Sequence, residues 1–273
     1  MISACLVIHN EEKLLKRCLE SIKDVVDEII LVHDGECTDK SLNIANNFHS
    51  RIFIRDFIGE AEWHRPFSYE EAKGDWILQI DADEFLSEKL KAELKKLTED
   101  RNIDGYYFAW PYFDGKNYIQ KGPFAKTAKA ALFRKFKMYL IGIAHEYPRS
   151  YGKIVHRQDL QLEHQPQVDN YTKQAFNNKW LSWVKLQAKQ IVNIDAAPVF
   201  NISNCEENPA FVYYKQIIKY PILNGIYETI KFLIIYFSRG LLFVGYKSWL
   251  IAVLEIKYLW LVRKEIRRLK HEH

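Results

Sequence analysis

The feature that most constrains this chain is the alternation, up to about Leu97, of short apolar runs with stretches of helical periodicity. Ser3–Ile8, Glu28–Val32, Ile52–Arg55 and Trp76–Ile80 read as strands, since aliphatic and β-branched residues run through them almost unbroken. Between the first two, Leu14, Leu15, Cys18, Leu19 and Ile22 fall on one helical face. Asn10 is placed to cap that helix, with Glu11 and Glu12 favourable in its first turn. A helix over Thr38–Phe48 carries Leu42, Ala45 and Phe48 inward. Pro66–Lys73 is a short helix stopped by Gly74, and Ser87 caps a helix bearing Leu90, Leu94 and Leu97. Such alternation builds an α/β sheet with crossover helices.

Beyond Gly105 the pattern changes. Tyr106–Trp110, Tyr118–Gln120 and Ala130–Phe136 suggest β-structure, with turns at Asp114-Gly115 and Gly122-Pro123, and Tyr171–Val192 is again helical. Phe211–Val262 is dense in Ile, Leu, Phe, Tyr and Trp. Lys231, Arg239, Lys247 and Glu255 interrupt it, so no uncharged run reaches the ~20 residues a membrane span needs. Gly240 and Gly245 divide this stretch into two helices. A basic tail of Arg263, Lys264, Arg267, Arg268 and Lys270 follows. Aromatic helices with such a tail suit a protein lying on an anionic membrane surface; they equally suit a subdomain packed on the core or a homo-oligomer contact. The expected organisation is a catalytic domain over residues 1–205 and a helical extension over 206–273.

The chain has 273 residues, 48% hydrophobic and 27% charged, enough for one large domain or a domain with an appendage. A net charge of +4 does not indicate nucleic acid. Cys5, Cys18, Cys37 and Cys205 form no CxxC pair, which favours reduced core thiols. The strand-like start at Ile2 shows no signal-peptide pattern. The expectation is a cytoplasmic protein, which the membrane-surface reading of the C-terminal helices would set on the inner face of the membrane.

The chemistry is concentrated in WILQIDADEFLSEKL, residues 76–90. An apolar strand ends in Asp81, Asp83 and Glu84, whose mutual repulsion costs stability unless a cation or polar ligand offsets it. Asp81 and Asp83 lie on one side of an extended segment, and strand ends are where ligands sit in open α/β sheets. Hard oxygens there suit Mn²⁺ or Mg²⁺, which in turn bind diphosphate.

Three strings, ACLVIHNEEKLLKRCLESI, DEIILVHDGECTDKSLNIA and EAKGDWILQIDADEFL, resemble in order and spacing the family 2 glycosyltransferases of GT-A fold, a Rossmann-like nucleotide-diphospho-sugar transferase sheet. The resemblance covers roughly residues 1–90. His145-Glu146 and a later histidine resemble the branch that decorates lipopolysaccharide cores and other bacterial surface glycans. It implies an inverting transfer from a nucleotide-diphosphate sugar donor, commonly UDP-linked, to a hydroxyl of a glycan or lipid-linked acceptor. Residue by residue, it places Asn10 and Glu11 at the end of the first strand, Asp34 on the nucleoside, Asp81 on ribose or metal, and Asp83 on the metal. Arg65 falls where a basic residue faces the diphosphate, Glu146 where a general base would stand, and His164 where a histidine completes the metal sphere. His33 departs from the pattern, standing where many members carry a further Asp, and Glu36-Cys37 lengthens the loop. Two rival readings stay open, a membrane-surface scaffold with a degenerate nucleotide site and an aspartyl phosphatase. Phe85 stands where the phosphatase motif wants Thr or Val.

Overall fold

The computed structural model describes residues 1–271. Four parallel strands, β1 (Ile2–Ile8), β2 (Glu28–Asp34), β3 (Arg51–Arg55) and β4 (Trp76–Gln79), form one half of an eight-stranded sheet. Three helices connect them: α1 (Leu15–Ile22), α2 (Ser41–Asn47) and α3 (Arg65–Glu71). The other half comes from β5 (Glu84–Leu86), β6 (Gly105–Ala109), β7 (Ala128–Arg134) and β10 (Ile154–His164), and α4 (Glu88–Leu97) packs on the sheet. The strand order is β3-β2-β1-β4-β7-β6-β10-β5, with β7 antiparallel to both β4 and β6. A small second sheet orders β11 (Val199–Phe200), β8 (Met138–Ile141) and β9 (Arg149–Ser150).

Both faces of the first sheet are covered. Ala4, Leu6 and Ile8 of β1 join Leu15, Leu19 and Ile22 of α1 on one side, while Cys5, Ile30 and Ile77 meet Tyr69 and Ala72 on the other. This explains the unbroken apolar runs of β1, β2 and β4. β1 pairs with β2 on one side and β4 on the other, so the chain reverses its direction of travel between β1 and β4. That switch opens a crevice beyond their carboxyl ends.

The remainder is helical. A short helix α5 (Lys173–Ala175) runs through a π turn into α6 (Leu181–Val192), followed by α7 (Pro209–Lys219), α8 (Pro221–Ser238) and α9 (Tyr246–His271). The extension is helical as expected, but it shares its core with what precedes it. Ile141 and Ile143, Ala188 and Ile191 of α6, and Val262 and Ile266 of α9 belong to one buried cluster. The last two residues of the expected 206–273 segment lie outside the described residues.

Several local expectations are corrected. Asn10 caps no helix: α1 starts after Leu14, and Asn10 has a left-handed backbone at φ 54°. Tyr118–Gln120 makes only an isolated bridge between Phe113 and Tyr118. β7 begins at Ala128, bringing Lys129 into the strand, and ends before a 3₁₀ turn over Lys135–Lys137. Gly240 does end a helix, but Pro221 starts another directly after Tyr220, so the C-terminal stretch holds three helices. Ser87 is the cap expected, its hydroxyl accepting from Leu90 N at 3.2 Å.

Candidate active site

The strand ends open into a cleft of about 800 Å³. Asp81 and Asp83 follow β4, Glu11 follows β1, Asp34 ends β2 and His164 ends β10; all but Glu84 of the acidic corner line the cleft.

The crowding of Asp81 and Glu84 is offset from within the chain. Lys129 of β7, with its side chain 4% exposed, places its ammonium 2.6 Å from Asp81 and 2.7 Å from both oxygens of Glu84. The Arg65 guanidinium meets the other Asp81 oxygen at 2.8 Å and Glu62 at 3.2 Å. Burial would push the Asp81 carboxyl up, but Lys129 and Arg65 outweigh it and hold it far below the usual range. Glu84 is fully buried, and burial raises it against the pull of Lys129. It also accepts from Trp110 Nε1 at 2.7 Å and from Asp81 N at 2.9 Å. Arg65 is thus a buried member of the cluster. Lys129 escaped the sequence reading; the signal was a lone lysine in the run Ala128–Leu132.

Asp83 and His164 are brought together by strand pairing. β10 runs antiparallel to β5 with His164 opposite Glu84, which sets His164 Nε2 3.2 Å from Asp83 Oδ2. Trp110 stacks on the imidazole at 4.3 Å. Among the described residues no cluster of three or more His, Cys, Asp or Glu is placed to hold a metal ion. One carboxylate and one imidazole facing a cleft still suit a divalent ion that completes its shell with diphosphate oxygens and water.

The departures at the nucleotide end have structural reasons. His33 is wholly buried; its Nδ1–H donates to Gly35 O at 2.8 Å and its Nε2 accepts from Asn10 N at 3.2 Å. It therefore bolts the β1 end to the β2 turn. Asn10 Oδ1 accepts from Thr38 N at 2.8 Å, and Glu11 N donates to the Ser41 hydroxyl at 2.7 Å. The Glu11 carboxyl lines the cleft and is pushed up to about 7 by burial and by Asp83. Asp34 accepts from Ile58 N at 2.7 Å, Gly59 N at 2.8 Å and His64 Nε2 at 2.9 Å. These bonds overcome its burial and lower its pKa. Gly35, at φ 82°, has no room for a side chain: a Cβ would come 2.9 Å from Phe57.

Glu146 is not turned into the cleft. His145 takes a left-handed backbone at φ 63°, and the His145 ring lines the cleft while Glu146 faces away. Its oxygens are held by Arg149 at 2.7 Å and by the Tyr214 hydroxyl of α7. The carboxylates that do line this part are Glu60, Glu62, Glu228 of α8 and, from α9, Glu255, which accepts from Tyr112 at 2.7 Å and Tyr236 at 2.6 Å. Aromatic rings of α6 and α9, Trp183 and Tyr258, complete the wall.

An α/β sheet with a carboxylate-rich switch point beneath a helical roof makes a crevice of the kind in which such sheets bind their ligands. The chain belongs to glycosyl transferase family 2, whose sequence model matches residues 3–157. Uncharacterized glycosyltransferases of Rickettsia bellii (strain RML369-C) and Rickettsia typhi (strain ATCC VR-144 / Wilmington) are 36% and 33% identical over 105 residues, 38% of this chain and 35% of each relative. The chain thus spans about a third of the length of the curated relatives it matches. Among solved structures, glucosyl-3-phosphoglycerate synthase from Mycobacterium tuberculosis in complex with Mn²⁺, uridine-diphosphate and phosphoglyceric acid is similar at 21% identity, covering 40% of this chain and 43% of that one, with a TM-score of 0.35. TarS of S. aureus is similar over 96% of this chain and 55% of its own, at 13% identity and a TM-score of 0.44.

Proposed function

We propose that this chain transfers a hexosyl or N-acetylhexosaminyl group from a UDP-linked donor to a hydroxyl of a glycan or lipid-linked acceptor, inverting the anomeric carbon. A bacterial surface glycan such as a lipopolysaccharide core is the acceptor class that His145-Glu146 and His164 suggest. The observation that carries the reading is the convergence of Asp81, Asp83 and His164 with Arg65 and Lys129 at the β1/β4 switch point.

Asp83 and His164 would hold Mn²⁺ or Mg²⁺, which when bound neutralises charge building on the diphosphate leaving group. Arg65 and Lys129 orient Asp81 and contribute positive potential to the same end of the cleft. Phe57, exposed beside Asp34, offers a ring face to the nucleobase, and Asp34 acts chiefly by holding the loop at Ile58 and Gly59. Glu146 can serve as general base only by exchanging its Arg149 and Tyr214 partners for the acceptor. Glu62 is the alternative carboxylate: it faces the cleft, and its ion pair with Arg65, which lowers its pKa, must loosen as it takes the acceptor's proton. The paired state of Asp81 weighs against a phosphatase, whose nucleophilic aspartate must be free to attack.

The test is a screen of nucleotide sugars by thermal shift with and without Mn²⁺. A ligand at 100 times its Kd stabilises the native state by about 2.7 kcal/mol. UDP or a UDP-sugar is expected to raise the melting temperature only with the metal, and Asp83→Asn to remove that dependence. Indifference to every nucleotide under both conditions would overturn the proposal.

A further inference from the structure

We propose that the outer face of α8, with the turn that follows it, docks this protein on an anionic lipid bilayer, lying in the interface. α8 is apolar on two sides. Its inner side buries Pro221 and Gly225 and turns Phe232 and Tyr236 into a cluster with α9. On its outer side Leu223, Tyr227, Ile230, Ile234 and Phe237 recur at helical spacing, and they are 65, 61, 54, 64 and 41% exposed. The stripe continues past the helix end, with Leu242 62%, Phe243 87% and Tyr246 73% exposed. Single apolar residues on a surface are ordinary, but a continuous stripe on a helix that already buries its other side marks a face that a partner covers.

The charges decide which partner. Between Pro209 and Lys257 the acids are Glu228 and Glu255, and both turn inward, Glu228 to the Tyr213 hydroxyl at 3.0 Å and Glu255 to Tyr112 and Tyr236. The exposed ions beside the stripe are Lys219, Lys231 and Arg239; Lys231 also reaches Glu228 at 3.5 Å. Apolar side chains edged by cations match acyl chains beneath anionic headgroups. A second copy related by a two-fold axis would instead bring this same cationic face against itself. Among the described residues no helix is long and apolar enough to cross a membrane, so the face lies on the bilayer. The basic tail is a weaker anchor than its sequence implies, because Arg263 is buried against Asn224 at 2.8 Å.

Glu228 and Phe232, on the inner side of α8, line the cleft. Docking therefore brings the cleft to the lipid surface, where a lipid-linked acceptor would be met. That consequence rests on the sugar-transfer reading, whereas the docking itself does not.

The test is co-sedimentation of the full chain with vesicles of phosphatidylcholine alone or with a quarter phosphatidylglycerol, in the absence of donor and acceptor. The protein is expected to pellet with the mixed vesicles, weakly with neutral ones, and less as salt is raised. Ile230→Gln with Ile234→Gln, both exposed, should leave the melting temperature unchanged and weaken partition at least tenfold. Lys219→Gln, Lys231→Gln and Arg239→Gln together should remove the preference for anionic lipid. A protein that stays in the supernatant with both vesicles overturns the inference, as does an Ile230/Ile234 variant that binds like the parent. A dimer in sedimentation velocity that the same two substitutions dissolve, without vesicle binding, would instead assign the face to contact between copies.

Discussion

Lys129 carries more of the site than any residue singled out by its motif. It is the cation that allows Asp81 and Glu84 to sit together, so Lys129→Met leaves a buried carboxylate without its partner. Loss of one member of a buried ion pair costs on the order of 3–5 kcal/mol, and urea unfolding at pH 7 should show a loss of that order. The loss should shrink as pH is lowered, because burial already raises Glu84 and it takes up a proton more readily once Lys129 is gone. A loss independent of pH would mean that Lys129 acts by packing alone. The Asp34 carboxyl is shifted the other way from that of Glu84. Its pKa is depressed in the fold, so its contribution is complete above the ordinary carboxylate value of about 3.9 and disappears as pH falls through the folded value. Asp34→Asn should therefore lower the urea midpoint at pH 7 and make little difference in strong acid, and at pH 7 it should speed hydrogen exchange at Ile58 and Gly59. The base is separable by kinetics: the true base, changed to Gln, should cost roughly 10²–10⁴ in turnover with donor affinity spared. Glu62→Gln is expected to do so. Glu146→Gln should instead lower stability, through its bonds to Arg149 and Tyr214.

At the scale of elements, capping and pairing set the site. Ser87 starts α4 immediately after the acidic corner, and Ser87→Ala should cost about 1 kcal/mol of stability, read as a fall in melting temperature without loss of nucleotide binding. The β1–α1–β2 unit, the fourth strand and the Ser87 cap were legible because apolar periodicity and a hydroxyl before a helical run are local signals. The β5–β10 pair was not. Glu84–Leu86 is three residues long, and Ile154–His164 carries His156, Arg157, Gln158 and Asp159 among its apolar positions. Its register shifts between Arg157 and Gln161, so period-two alternation breaks within the strand. His145 shows the same limit at a turn, since one left-handed residue exchanges which of His145 and Glu146 meets the cleft.

At the scale of the molecule, the helices after residue 205 are walls of the site as well as an extension. Glu255 and Tyr258 of α9 line the cleft, and α6 and α9 bury the same cluster. A chain cut after Cys205 would expose Ala188, Ile191 and Ile194, which are otherwise almost wholly buried. It is expected to aggregate or to lose cooperative unfolding, while the full chain melts in one transition. Two resolved transitions in the full chain would restore a separable extension.

Family, sheet class and the acidic corner were determined by the sequence alone, because each is written in short-range order: apolar runs of strand length, a helix cap, and Asp-Ala-Asp at a strand end. What surrounds that corner was decided by tertiary structure. Lys129 reaches Asp81 across 48 positions and His164 reaches Asp83 across 81, separations that no periodicity reports. Only the order in which strands lie side by side brings a cation from β7 and an imidazole from β10 to carboxylates after β4, and that order is fixed by burial of both sheet faces.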